Sequence, residues 1–240
     1  MVTAPPAAAL WEDFIDIIVS PASVFRRREQ GSWFVPLVIV TLAIAVISFA
    51  SRGLLQPVVD ATVDQITEQM RKNPQITEDV IDAARGRLAW FTTYGSVIFI
   101  PILIILTGFM TWLVGKLVDA RETVNAALMV AAYANVPRIL QGVANAIQGF
   151  LMSPDQLNGI GSLSLGPARF MNPTTSNPLV FQLALRLDIM TIWVTVLLAI
   201  GCYAVGRVTK EQAAIAGVLF WLVGSLQAVF TGLQAIAARS

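Results

Sequence analysis

Five long apolar stretches follow one another along the chain and predict five membrane-spanning helices. At about 1.5 Å per residue, each is long enough to cross a hydrocarbon core of about 30 Å. Trp33 and Trp90 open the first two stretches, and tryptophan is typical of the membrane interface. The predicted spans cover residues 33–50, 90–114, 124–150, 185–205 and 213–235. The sequence therefore predicts an all-α integral membrane protein whose termini lie on opposite sides of the membrane.

The segment before the first span is amphipathic. Apolar residues from Leu10 to Val19 alternate at helical spacing with Glu12, Asp13 and Asp16, which predicts a helix too short and too acidic to cross a bilayer. A second short helix, opened by Ser20-Pro21, ends in three basic residues. Residues 1–32 are thus expected to form a cytoplasmic, interfacial segment, and residues 33–240 the membrane domain. The basic cluster is either a contact for anionic lipid or a plain topology anchor; it consists of Arg26, Arg27 and Arg28.

Two extramembrane segments separate the spans. Residues 55–89 predict a helical hairpin outside the bilayer, with a turn at Asn73-Pro74 and an apolar stripe among charged residues. That stripe either packs on its own protein or docks a partner. Residues 151–182 are rich in Gly, Pro, Ser and Asn and predict an irregular loop.

The third predicted span carries a polar stripe at helical spacing. Its members are Asn135, Arg138, Gln141, Asn145 and Gln148, which would share one face of a continuous helix. Arginine at a helix centre costs about 2.5–3.5 kcal/mol in the membrane, so Arg138 requires a partner. Asp188 is the one acidic residue in a neighbouring predicted span, and we expect it to be the counter-ion. Pro137 would leave the Tyr133 carbonyl free for a neighbouring donor.

The fifth predicted span has a shorter polar stripe at matching depth. Gln227, Thr231 and Gln234 are spaced to share one face of its outer half. The two stripes would therefore meet between spans three and five. Such a contact is either interhelical hydrogen bonding, worth about 0.6 kcal/mol per contact, or the lining of a polar cavity.

Composition narrows the possible chemistry. The chain has no His and one Cys, Cys202, so His or Cys metal centres, Ser/His/Asp triads and an internal disulfide are excluded. A net charge of +1 gives no electrostatic basis for binding nucleic acid. We find no phosphate-binding loop and no pairing of a general acid with a nucleophile. No catalytic, cofactor-binding or metal-binding residue is predicted, and Cys202 is interpreted as a packing residue.

The distribution of basic residues favours a cytoplasmic N-terminus. Raw counts on the two sides are nearly equal, but the positive-inside rule weighs short loops and span ends more than long segments. On the N-terminal side, the basic residues flank spans and short turns, as Lys116, Arg121 and Lys210 do. On the other side, most lie in the long hairpin and loop.

Two motifs accompany this order of features: a Ser-Pro-x-x-x-Phe segment before the first span (Ser20, Pro21, Phe25) and Ala-Tyr-Ala-x-x-Pro in the third span (Ala132 to Pro137). With them, residues 10–237 resemble the YIP family, the Ypt/Rab-interacting five-span proteins and their prokaryotic relatives. The resemblance implies a cytosolic N-terminus and, in eukaryotic members, binding of prenylated Rab GTPases through an Asp-Leu-Tyr-Gly-Pro signature. The chain lacks that signature, which argues against GTPase binding and for a prokaryotic-type member in the inner membrane.

The expected function is non-enzymatic. The sequence favours a scaffold or accessory subunit that organises lipid, another membrane protein or a second copy of the chain, as in YIP-like membrane organisation. The alternative is a small transporter or channel with a polar path between spans three and five.

Overall fold

The computed structural model describes residues 9–71 and 75–237, and these ranges contain helices, turns and no strand. The all-α prediction is therefore confirmed for the described chain. Three short 3-10 turns lie between α6 and α7. The α-helices are α1 (Leu10–Val19), α2 (Pro21–Arg28), α3 (Phe34–Arg71), α4 (Glu78–Leu117), α5 (Val124–Ala134), α6 (Val136–Leu151), α7 (Pro178–Arg186), α8 (Ile189–Gly206) and α9 (Lys210–Ala237).

Four helical segments of the described chain are long and apolar enough to cross a membrane. They are Phe34–Arg71, Val97–Leu117, Ile189–Gly206 and Lys210–Ala237. The predicted third span, residues 124–150, is not among them because it is not one helix. It is divided at Asn135 into α5 and α6.

The break at Asn135 has a local cause. A proline inside a helix lacks an N–H and collides with the carbonyl four residues earlier, but it fits a first helical turn. The chain ends α5 at Ala134 and starts α6 at Val136, which places Pro137 in that first turn. Asn135 adopts φ −88° and ψ 0°, and its side-chain amide donates to the Ala131 carbonyl at 2.8 Å. The prediction of one continuous helix carrying five polar residues was wrong for this reason.

The external hairpin is a continuation of the first two spans. α3 is 38 residues long, about 57 Å, or roughly twice the hydrocarbon thickness. Ser51, the first residue after the predicted first span, instead donates its hydroxyl to the Ile47 carbonyl at 2.7 Å within the helix. α4 likewise runs from the hairpin into the membrane segment. The predicted Asn73-Pro74 turn lies outside the described residues.

Ion pairs and the long loop support the outer arms of the hairpin. Arg71 pairs with Glu68 at 2.5 Å and with Glu78 at 3.3 Å, and Arg85 pairs with Asp64. The loop between α6 and α7 packs on α3, where Gln65 donates to the Asn158 carbonyl at 2.9 Å. This segment is largely non-helical, as predicted, but it ends at Pro178, where α7 begins.

α5 is the central helix of the bundle. Every residue from Ala126 to Ala134 is buried, and α3, α4 and α8 surround the helix together with the N-terminal α1 and α2. Close approach depends on glycine: a Cβ at Gly108 of α4 would lie 2.6 Å from Leu128, and one at Gly201 of α8 would overlap Val130. Small residues allow such contacts where no hydrophobic effect drives helices together.

The predicted fourth span also contains a break. α7 and α8 are separated at Leu187 and Asp188, and α7 packs along α9. A Cβ at Gly232 of α9 would lie 2.7 Å from Leu179 at the start of α7, and one at Gly224 would lie 2.5 Å from Arg186 at its end. α7 therefore runs antiparallel to the outer part of α9.

The connections group at two ends of the bundle. At one end, Asn125 donates to the Gly31 carbonyl at 3.1 Å, and the Arg121 amide donates to Gly206 at 2.9 Å. This end holds the N-terminal segment and the turns before α5 and α9. At the other end lie the hairpin arms and the long loop, joined by the bond from Gln65. The α5–α6 pair connects the two ends.

Candidate functional site

A cavity of about 340 Å³ lies between the two helix breaks. Asn135 and Arg138 border it at the first break, and Arg186 and Thr191 at the second. α4 and α9 complete the wall with Leu103, Leu106, Met110, Phe220 and Gln227, among other residues. Irregular backbone within a membrane is tolerated where it is buried in protein or lines a cavity. Asn135 of the first break lines the cavity, and Asp188 of the second break is buried.

Arg138 extends into this cavity from the first turn of α6. Its guanidinium donates to the Gln141 side-chain oxygen at 2.6 Å and to the Thr191 hydroxyl at 3.3 Å. Gln141 therefore orients Arg138. Both partners are neutral, so these hydrogen bonds leave the charge uncompensated.

Asp188, the predicted counter-ion, has another role. It is 4% exposed and caps the N-terminus of α8 by accepting from the Met190 amide at 2.9 Å. Its second oxygen accepts from the Leu165 amide at 2.7 Å and from the Ser164 hydroxyl at 3.2 Å. Asp188 attracts Arg138 electrostatically, but the two side chains form no ion pair within 4.0 Å in the described structure. The helix break directs this carboxylate to the loop, so the expected counter-ion acts on Arg138 at a distance and forms no direct ion pair with it.

Arg186 is a site residue that the sequence reasoning missed. It ends α7, and its Nε donates to the Ser225 hydroxyl of α9 at 3.4 Å. Trp221 donates to the Arg186 carbonyl at 3.2 Å and so holds the end of α7 against α9. The sequence did contain a signal for Arg186: it is a second charged residue, two positions before Asp188, within an apolar stretch.

The remaining residues of the predicted stripe lie in other environments. Asn145 faces α3 and borders a separate cavity of about 160 Å³ with Ser51 and Arg52; its buried carbonyl oxygen has no hydrogen-bond partner in the described chain. Gln148 donates to the Leu163 carbonyl at 3.2 Å and accepts from Arg169. The stripe thus divides among a cavity, a helix contact and the loop.

The predicted contact between spans three and five is also corrected. Gln227, Thr231 and Gln234 are exposed, and only Gln227 borders the 340 Å³ cavity. α9 packs mainly on α7 and α8 because α7, which was not predicted as a helix, occupies the adjoining position.

A second charged cluster joins the N-terminal segment to α5. Asp13 is fully buried; its oxygens pair with Arg27 at 2.6 Å and Arg28 at 2.7 Å and accept from the Tyr133 hydroxyl at 3.0 Å. Two of the three arginines predicted as lipid contacts are therefore bound to a carboxylate of their own chain. Arg26 is exposed and lies 5.7 Å from the centre of the Tyr203 ring.

Glu122 is a buried acid in the turn before α5. It is 4% exposed, neither carboxyl oxygen has a hydrogen-bond partner in the described chain, and a Cβ at Gly206 would lie 2.8 Å from one of them. Burial raises the pKa of Glu122, and the positive charge of Lys116 opposes that shift. The Lys116 ammonium itself donates to the Ala120 carbonyl at 3.0 Å.

These features define a helical integral membrane protein in which two broken helices enclose a polar cavity. The model of the Yip1 domain matches residues 15–231, and the chain belongs to the Yip1 family. Comparison with the curated proteins and with the solved structures finds no match to either. Within the described residues, no group of three or more His, Cys, Asp or Glu side chains is arranged to hold a metal ion.

Proposed function

We propose that this Yip1-family protein is a non-enzymatic scaffold, or accessory subunit, whose external hairpin binds a partner membrane protein. In this proposal the chain crosses a prokaryotic inner membrane five times, with its N-terminus in the cytoplasm. The fifth crossing is the α5–α6 pair, which joins the two ends of the bundle although neither helix is long enough alone. The exposed face of α1, which carries Trp11, Ile15 and Val19, supports an interfacial N-terminal segment.

The observation that carries the proposal is an apolar cleft on the outer hairpin. The cleft encloses about 690 Å³ between Ile66 and Met70 of α3 and Val80, Leu88 and Phe91 of α4. Ile66, Val80 and Phe91 are each more than a third exposed. Because α3 and α4 continue well beyond the length of a span, the part of this cleft farthest from the membrane is exposed to water. An exposed apolar surface in water is typical of an interaction site.

The charges around the cleft indicate the chemistry of its occupant. Of the hairpin arginines, Arg71 and Arg85 are already paired with carboxylates of the hairpin. The acidic side chains of Asp79 and Asp82 are exposed beside Val80. Arg87 also lines the cleft and donates to the Ala83 carbonyl at 3.2 Å. A helix that fits this cleft is amphipathic, with basic residues beside Asp79 and Asp82 and an acidic or polar residue beside Arg87. We therefore assign the cleft to such a helix of a partner protein.

A crosslinking experiment tests this assignment. A photoreactive side chain at Val80 is expected to crosslink one protein that co-purifies in stoichiometric amount in mild detergent, and the same probe at lipid-facing Val46 is not. Val80→Asp is expected to reduce co-purification at least about tenfold, because it buries a charge in the interface without removing a core contact. Asp60→Ser, which changes an exposed acidic residue of α3 outside the cleft to a small polar one, is the matched control for surface substitution.

Three outcomes would overturn the scaffold proposal. They are crosslinks from Val80 to lipid alone, crosslinks only to a second copy of the chain, and equal co-purification by the wild type and Val80→Asp.

A second candidate function is a small transporter, and the two helix breaks favour it. Discontinuous helices around a polar cavity are the arrangement in which many transporters bind their substrates. The path would run past Arg138 between the first break and α9, close to the predicted position between spans three and five. Flux of phosphate or chloride into proteoliposomes that Arg138→Ala and Gln141→Leu abolish would support it, and absence of flux would contradict it.

A further inference from the structure

We infer that the cavity between the two helix breaks binds a phosphate-bearing anion through Arg138 and Arg186. This goes beyond the proposed scaffold function and does not depend on the hairpin cleft. The cavity is separate from that cleft and is formed by the membrane segments. A volume of about 340 Å³ falls within the range of small-molecule sites.

The charges that line the cavity favour an anion. Arg138 and Arg186 both line it, and no described residue of its lining is acidic. The two guanidiniums are close enough for Arg186 to repel Arg138, whereas Asp188 attracts it. Asp188 balances one positive charge at most, and its oxygens are already occupied by the Leu165 and Met190 amides and the Ser164 hydroxyl. One positive charge therefore remains in a membrane environment, where an unbalanced charge is costly.

Hydrogen-bond donors point to the same chemistry. A guanidinium has five N–H donors, and the described contacts use two of Arg138 and one of Arg186. Planar guanidiniums bind the oxygens of phosphate in pairs. Gln141 of α6 and Ser225 of α9 each accept a hydrogen bond from one of the two guanidiniums, which helps to hold both groups at the cavity.

The walls of the cavity are apolar on the side away from the arginines. Leu103 and Leu106 of α4 line it and are also more than half exposed on the outer surface of the bundle. The cavity is therefore continuous with the surface that faces lipid. A phosphodiester headgroup could enter from the bilayer with its acyl chains against α4, while free phosphate would use the same arginines. The lipid headgroup and free phosphate would present the same group, a phosphate, to the two arginines.

The experiment compares the two sources on the full-length protein in detergent. Native mass spectrometry would measure retention of dihexanoyl phosphatidylglycerol against dihexanoyl phosphatidylcholine, and thermal unfolding would measure stabilisation by inorganic phosphate against chloride. We expect preferential binding of phosphatidylglycerol, inorganic phosphate or both. Because each lost guanidinium removes charge-assisted hydrogen bonds, Arg138→Gln and Arg186→Gln should each weaken binding about tenfold or more.

Two variants serve as controls. Arg169→Gln removes an exposed arginine on the loop side of the bundle, outside the cavity, and should bind like the wild type. Arg138→Lys keeps the charge and should recover part of the affinity. If the glutamine variants fail to fold, displacement of bound lipid from the wild type by inorganic phosphate tests the same site. The inference is overturned if the wild type prefers neither anion, or if folded glutamine variants bind as well as Arg169→Gln.

Discussion

Glu122 makes the stability of this protein depend on pH. A carboxyl group whose pKa is raised in the folded state binds its proton more tightly there than in the unfolded chain. Its destabilising effect is absent below the ordinary pKa of 4.5, grows as pH rises toward the raised value and is constant above it. Glu122→Gln should therefore raise the unfolding temperature at neutral pH by about 2–4 °C, corresponding to about 1 kcal/mol, and flatten the pH dependence.

Thermal unfolding in detergent from pH 4 to pH 8 measures this effect. Asp119→Asn is the control, since Asp119 is an exposed acid in the same turn and asparagine also accepts its positive φ of 61°. An unchanged pH profile for Glu122→Gln would contradict the prediction.

Asp188 is expected to act through hydrogen bonds more than through its charge. Asp188→Leu removes the cap of α8 and leaves the Leu165 amide without its acceptor, which should cost about 3 kcal/mol. Asp188→Asn keeps a good capping group and should cost about 1 kcal/mol. Chemical denaturation in mixed micelles compares the two variants. Equal losses would indicate that the carboxylate is mainly the counter-ion of Arg138.

Individual residues of the polar stripe show the limit of reasoning from spacing. Helical spacing placed Asn135 and Arg138 on one face, and both border the cavity. It placed Asn145 and Gln148 with them because it assumed an unbroken helix. Arg186 was missed because its importance depends on α7 packing against α9, a contact between distant parts of the chain that no local pattern encodes.

At the scale of helices, glycine contacts decide how closely α8 approaches α5. Replacing a glycine in an exposed helix interior with alanine normally stabilises the helix, by about 0.5–1 kcal/mol. At Gly201 we expect the opposite, a loss of about 1–3 kcal/mol, because the new Cβ would overlap Val130. Gly53→Ala is the control. It should stabilise the protein, because nothing lies within 4 Å of a Cβ at that position.

A double variant makes this test specific. Adding Val130→Ala to Gly201→Ala removes the overlapping methyl groups and should recover part of the loss, as measured by unfolding temperature. If Gly201→Ala stabilises the protein as Gly53→Ala does, the close contact between α5 and α8 is incorrect.

Apolar runs located the membrane-crossing parts of the helices, but they did not locate the ends of the helices. Predicted spans two and five lie within α4 and α9, because apolar runs mark them clearly. The continuation of α3 past Arg52 was missed because a helix entering water changes composition without changing conformation. The break at Asn135 was missed because Pro137 fits both a kinked helix and a first turn.

For the whole molecule, the positions of the connections make a topological prediction. In a Cys202→Ala background, single cysteines at Asp79 and Asp155 should react with a membrane-impermeant maleimide in intact cells. Cysteines at Asp119 and Lys210 should react only after permeabilisation, because the α5–α6 pair separates the two sets. Labelling of Asp119→Cys and Asp155→Cys from the same side would show that α5–α6 does not cross.

The buried Asp13 cluster connects the N-terminal segment to the helix that ends at the cavity. Tyr133, which donates to Asp13, lies two residues before Asn135, where α5 ends and the cavity wall begins. Arg27 and Arg28 hold the same carboxylate, so α1, α2 and the end of α5 are clamped together. A displacement of α1 and α2 would therefore be transmitted through Tyr133 to the helix break at Asn135, three residues before Arg138.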